Sequence, residues 1–96
     1  MPEIHPRTIK IRRKRWTLFS HQQSGRNTFG ECDPVDAKKK QISVKPAIVG
    51  VDALDTLIHE MLHAAMPDLD ENAIYETASD LAKVLWDLGY RGEWDE

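Results

Sequence analysis

A single cysteine, Cys32, in 96 residues excludes an internal disulfide framework. No apolar run approaches the roughly 18 residues of a membrane-spanning helix. The opening Met1-Pro2-Glu3 and its polar continuation carry no apolar signal core. There is no internal repeat and no low-complexity segment. These absences fit a soluble protein of a reducing compartment, the cytoplasm, and exclude membrane spans and disulfide-stapled secreted scaffolds. Charge is missing in a patterned way. Residues 49–96 hold only 2 Lys/Arg against 12 Asp/Glu, whereas residues 1–48 hold 11 against 4. The net charge of −3 therefore splits into +7 and −10.

What is present fits one small domain spanning 1–96. A hydrophobic content of 41% supports one modest core. Thr8-Ile9-Lys10-Ile11-Arg12 alternates apolar and polar residues, as a strand does. Trp16 to Phe19 reads as a second strand and Thr28 to Cys32 as a third, and Lys40 to Val44 alternates again. Ser20 to Asn27 reads as a loop, and Asp33-Pro34-Val35-Asp36 is a turn signal. The sheet region is thus expected over about 7–46.

Two helices are expected to follow. The first runs over about 52–66, begun by Asp52 with Asp55 three residues on and stopped at Pro67. Leu54, Leu57, Ile58, Met61, Ala64 and Ala65 share one broad side of it; Asp52, Thr56, His59, Glu60 and His63 fall on the other. The second runs over about 68–88, with Asp68 and Glu71 as a capping-box variant and Gly89 as its stop. Its apolar set is Ile74, Ala78, Leu81, Leu85 and Leu88. A short connector makes the helices antiparallel neighbours.

The most informative stretch is His59-Glu60-Met61-Leu62-His63, an H-E-x-x-H pentapeptide. Residues four apart on a helix lie on one face, so two neutral imidazoles can hold one ion. The glutamate between them reaches the water on that ion. Shuffling this composition would produce the motif about once in a hundred trials. Its place on the polar side of an amphipathic helix raises its weight. Zinc suits the donors, because it accepts imidazole and carboxylate without a d-electron preference. A catalytic zinc takes three protein ligands, so a third is expected on a neighbouring element. The second helix offers Glu76 and Asp80, four apart on a side away from the Ile74/Leu81/Leu88 stripe. Lys83 and Asp87 lie on that side too, so a solvated acidic face is the competing explanation.

H-E-x-x-H followed by Glu76-Thr77-Ala78-Ser79-Asp80, an E-x-x-S-D run, resembles the gluzincin metallopeptidases of the thermolysin clan. The short interval between the motifs looks like minimal members, the minigluzincins. Thr56 to Glu60 is also similar to SprT-like and phage-encoded small zincin domains. Tyr75 departs from the pattern, since thermolysin-like enzymes often have Asn there. The metzincin extension is absent: Met66 and Leu69 stand where its glycine and third histidine would be. The resemblance covers roughly residues 28–88. It implies an α+β fold in which a small twisted antiparallel sheet packs on two antiparallel helices. It implies a Zn2+ peptidase with His59, His63 and Glu76 as ligands, Glu60 as general base and Asp80 supporting His59. It also implies a peptide or protein substrate lying along an edge strand, for which Gln41, Ile42, Ser43 and Val44 are the candidates. No oxyanion donor is assigned. Tyr75, Tyr90, His5 and His21 are available without a spacing argument. Cys32 could approach the metal, although a small buried thiol is its simpler role.

Two alternatives stay open. One is a non-catalytic zinc-binding module, which would need a fourth protein ligand that the sequence does not offer. The other is nucleic-acid association through the basic half, with Arg12-Arg13-Lys14-Arg15 beside Trp16 as its carrying feature. A solvated strand face explains the same charges.

Overall fold

A computed structural model describes residues 4–21, 30–45 and 50–90. Four strands precede two helices: β1 (Arg7–Ile11), β2 (Lys14–Ser20), β3 (Gly30–Cys32), β4 (Gln41–Val44), α1 (Val51–Ala65) and α2 (Glu71–Asp87). The α+β architecture matches expectation. Residues 28 and 29, most of the expected 20–27 loop, residues 46–49 and residues 91–96 lie outside the described residues.

The sheet order is β1-β2-β4-β3. β1 and β2 form an antiparallel hairpin, and β3 and β4 are antiparallel, but β2 and β4 run parallel. The sheet is therefore mixed, not antiparallel as expected. The chain goes out to the edge as β3 before returning as β4, which inserts beside β2. Alternation fixes which face a residue occupies, not which strand it neighbours, so this order is not written in the pattern. Gln41–Val44 accordingly sits in the sheet interior, and the edge falls to β3.

Trp16, Leu18, Ile42 and Val44 point to the helix side and form the core with Ile4 and Ala64. Leu57 and Met61 of α1 pack onto this cluster. Trp16 is 1% exposed, and its Nε1–H has no hydrogen-bond partner among the described residues. The indole serves as core and not as a surface stacking platform.

α1 begins at Gly50, whose φ of 71° only glycine adopts freely, and no side chain caps it. Asp52 sits inside the first turn and does not act as the cap. α2 starts three residues later than expected. Asp70, not Asp68, is its cap, and its carboxylate accepts from the Asn72 N–H at 2.8 Å. At the other end Tyr90 N–H donates to Leu85 O and Gly89 N–H to Trp86 O, with Gly89 at φ 103°. This pair of bonds is a Schellman closure. α2 packs on α1 and comes close to no strand. Its inward face is Ile74, Ala78 and Ala82, while Leu81 and Leu88 are exposed. No helix of the described residues is long and apolar enough to cross a membrane.

Arg12 and Arg13 form the two-residue turn between β1 and β2, at φ 49° and 71°. Positive φ at both positions is what a type I′ turn demands, normally of Asn and Gly. Side chains with a Cβ resist it. Arg12 offsets part of that cost, because its Nη1 donates to Ala65 O at 2.8 Å and closes the open end of α1. Arg13 has no comparable bond among the described residues. Arg13→Gly should therefore raise stability by about 1 kcal/mol. Urea unfolding checks this, and an unchanged or lowered midpoint would show the turn to be unstrained.

Candidate metal centre

His59 and His63 stand one turn apart on α1, and their Nε2 atoms are 3.2 Å from each other. The rings meet edge to face, with centroids 4.9 Å apart. Both Nε2 atoms point to Glu71 at the start of α2. Its Oε2 lies 3.2 Å from His59 Nε2, and its Oε1 lies 3.3 Å from His63 Nε2. The three side chains form a cluster whose donor atoms are mutually close.

These distances fit an ion. Donors about 2.0–2.1 Å from a tetrahedral zinc stand about 3.3–3.4 Å from one another. Hydrogen bonding accounts for the triangle less well. Each Nε2 would need a hydrogen to bond Glu71, and the two N–H groups would then sit 3.2 Å apart as like dipoles. A cation uses the lone pairs of all three groups instead.

The structure does not bring Glu76 or Asp80 to this pair. Both are exposed on the far side of α2. At 100° per residue Glu71 shares a face with Ile74, Ala78 and Ala82, whereas Glu76 and Asp80 lie 140° and more away. The stripe that docks α2 on α1 therefore carries Glu71 to the histidines. The signal was in the sequence as Glu71, Ile74, Ala78 and Ala82 at three- and four-residue steps. It is obscured when Glu71 is taken as the partner of an Asp68 cap.

Glu60 is buried against β3 and lines the same cleft as the two histidines. No hydrogen bond or ion pair holds its carboxylate among the described residues. Burial pushes its pKa up to about 7, with repulsion from Glu71 and then Glu31 adding to the rise. A cation in the cluster acts in the opposite direction. β3 approaches here at very short range. A Cβ on Gly30 would lie 2.9 Å from Glu60 Cγ and Thr56 Cγ2, and 3.0 Å from Ser43 O. Glycine is thus required for close packing of the edge strand over the carboxylate, a role the sequence did not reveal.

The cleft encloses about 1220 Å³ between β3, the turn after it, α1 and the start of α2. Asp33, Asp36, Asp52 and Asp55 line it, with Lys14 as the one lysine or arginine among the described residues. Burial raises the pKa of Asp55, an effect that His59 opposes and Asp52 reinforces. Tyr75, one turn beyond Glu71, also lines the cleft; His5, His21 and Tyr90 do not. Cys32 is at the wall but outside the cluster, its Sγ 3.4 Å from Asp33 O. Burial, then Glu60 and Asp33, push its pKa up to about 12, which keeps it a neutral thiol.

No family model, no curated protein and no solved structure matches this chain.

Two outcomes follow from the geometry. Glu71→Ala should weaken zinc binding at least as much as the 10–100-fold typical of a lost supporting group, while Glu76→Ala and Asp80→Ala leave it unchanged. Competitive chelator titration measures this, and the reverse ranking would overturn the assignment of Glu71. Gly30→Ala should cost about 1–3 kcal/mol in urea unfolding, because the Ser43 carbonyl cannot give way. A neutral result would mean that β3 moves freely over Glu60.

Proposed function

We propose that this chain is a zinc-dependent hydrolase of peptide bonds, with His59, His63 and Glu71 as ligands and Glu60 as general base. The single observation that carries this is the Nε2–Nε2–carboxylate triangle beside an unpaired, buried glutamate in a deep cleft. Three ligands with no fourth protein donor in the cluster among the described residues is a catalytic pattern; structural zinc sites are closed by four. That weighs against the non-catalytic module.

Zinc bound there would supply Lewis acidity and an acidified water. The protein's residues do the rest. Glu60, one position after His59, takes a proton from the attacking water and hands it to the leaving amine. Its burial keeps bulk water from competing for that proton. Of the oxyanion-donor candidates Tyr75, Tyr90, His5 and His21, only Tyr75 lines the cleft, and it is the one this reading assigns to the developing oxyanion. Among the described residues β3 pairs with β4 on one side only, so its other edge offers backbone groups to an extended peptide. The substrate strand is thus assigned to Gly30–Cys32 in place of Gln41–Val44.

The carboxylates along the cleft set a preference. Among the described residues, four aspartates against one lysine focus a negative potential there and favour substrates rich in Lys and Arg. Cleavage of a quenched-fluorescent peptide library by the zinc-loaded protein tests both statements. Lys/Arg-rich peptides should be cut faster than acidic ones, with a preference that shrinks as salt rises. Glu60→Gln should retain zinc and lose at least about 100-fold in rate. A Glu60→Gln protein as active as the parent would exclude the general-base role. Zinc-loaded protein that cuts no peptide would exclude the peptidase.

A further inference from the structure

The face of the sheet turned away from the helices carries a second groove, of about 420 Å³. Alternation along β1 and β2 sends Thr8, Lys10, Arg15 and Thr17 outward, and the hairpin register pairs Thr8 with Thr17 and Lys10 with Arg15. The run Lys38-Lys39-Lys40 borders the same groove, pinned beside β2 by the bond from Thr17 N–H to Lys40 O at 2.9 Å. Arg15 and all three lysines line it, and among the described residues no carboxylate does.

This arrangement is costly to the fold. Lys10 and Arg15 are like charges directly across a strand pair, where repulsion destabilises. Lys10, Arg15, Lys38 and Lys39 have no ion-pair or hydrogen-bond partner among the described residues. The acidic residues that could neutralise them are gathered instead around the metal centre and along α2. A cationic groove on a chain of net charge −3 is a local feature, not a by-product of a basic protein.

We propose that this groove binds single-stranded nucleic acid, independently of the hydrolase reading. The cations would follow the phosphates, and the Thr8 and Thr17 hydroxyls would donate to them. Phe19 lies two residues beyond Thr17 on the same outward row of β2, where its ring can take a base. Trp16, which the sequence places next to the basic run, borders the groove but is 1% exposed, so its indole is core and offers no stacking face. Of that run, Arg12 and Arg13 form the hairpin turn and Lys14 lines the other cleft, so only Arg15 serves the groove.

Fluorescence anisotropy of a labelled oligothymidine, titrated with the full chain at stepped salt, tests this. Affinity should fall with salt at about 0.7 log units per log unit for each phosphate neutralised. The double variant Arg15→Ala/Lys39→Ala should bind at least tenfold more weakly and reduce that slope by about 1.4. Lys83→Ala, on exposed α2, should bind like the parent. Phe19→Ala should weaken the oligothymidine and leave a duplex of equal length unaffected. Circular dichroism of each variant separates lost binding from lost fold. No salt-dependent binding, an equal loss in Lys83→Ala, or tighter binding of duplex or of phosphatidylserine vesicles would overturn the proposal.

Discussion

The close seat of α2 on α1 is the constraint from which the His59, His63 and Glu71 cluster follows. Ile74, Ala78 and Ala82 are completely buried and form the inward face of α2. Two alanines there let the helix backbones approach, and they fix the rotation of α2 about its own axis. Glu71 is on that same face, one turn before Ile74, at the end of α2 nearest His63. Its carboxylate therefore arrives at both imidazoles without help from a loop. Asp70 sharpens the placement by starting the helix immediately before Glu71. The same carboxylate also sits where the positive end of the helix dipole favours negative charge.

On its other side α1 meets the sheet, and Gly30 sets how near. The edge strand passes over Glu60 and Thr56 at a distance that admits no side chain. Glu60 is thereby removed from water while still open to the cleft, which is the state a general base needs. One helix thus carries the two histidines of the proposed metal centre toward α2 and a buried carboxylate toward β3. The two halves of the charge pattern fall on different surfaces. Aspartates border the cleft, and the cations of Arg15 and Lys38–Lys40 border the far face of the sheet.

Local features were legible in the sequence and relational ones were not. The pentapeptide, the span of α1, the four strands and the turn after Cys32 follow from residue types and spacing. α1 was expected over about 52–66 and occupies Val51–Ala65. The sheet order was hidden because alternation is silent about neighbours, so the parallel pairing of β2 with β4 and the edge position of β3 needed three dimensions. The carboxylate that meets the two histidines is Glu71 and not the expected Glu76, for a specific reason. Leu81 and Leu88 look like core and are exposed, while the small Ala82 is buried. Weighting hydrophobic size over close packing turned the helix, and a supposed cap at Asp68 occupied Glu71 with another task. The basic run beside Trp16 misled in a similar way, since the indole is core and two of its four cations are a turn.

X-ray absorption at the zinc edge of the metal-loaded protein tests the central claim most directly. Two histidines and a carboxylate predict a first shell of nitrogen and oxygen at about 2.0–2.1 Å with the outer scattering of two imidazoles. A sulfur shell at about 2.3 Å, which only Cys32 or a methionine could supply, or the signature of fewer than two imidazoles, would contradict it.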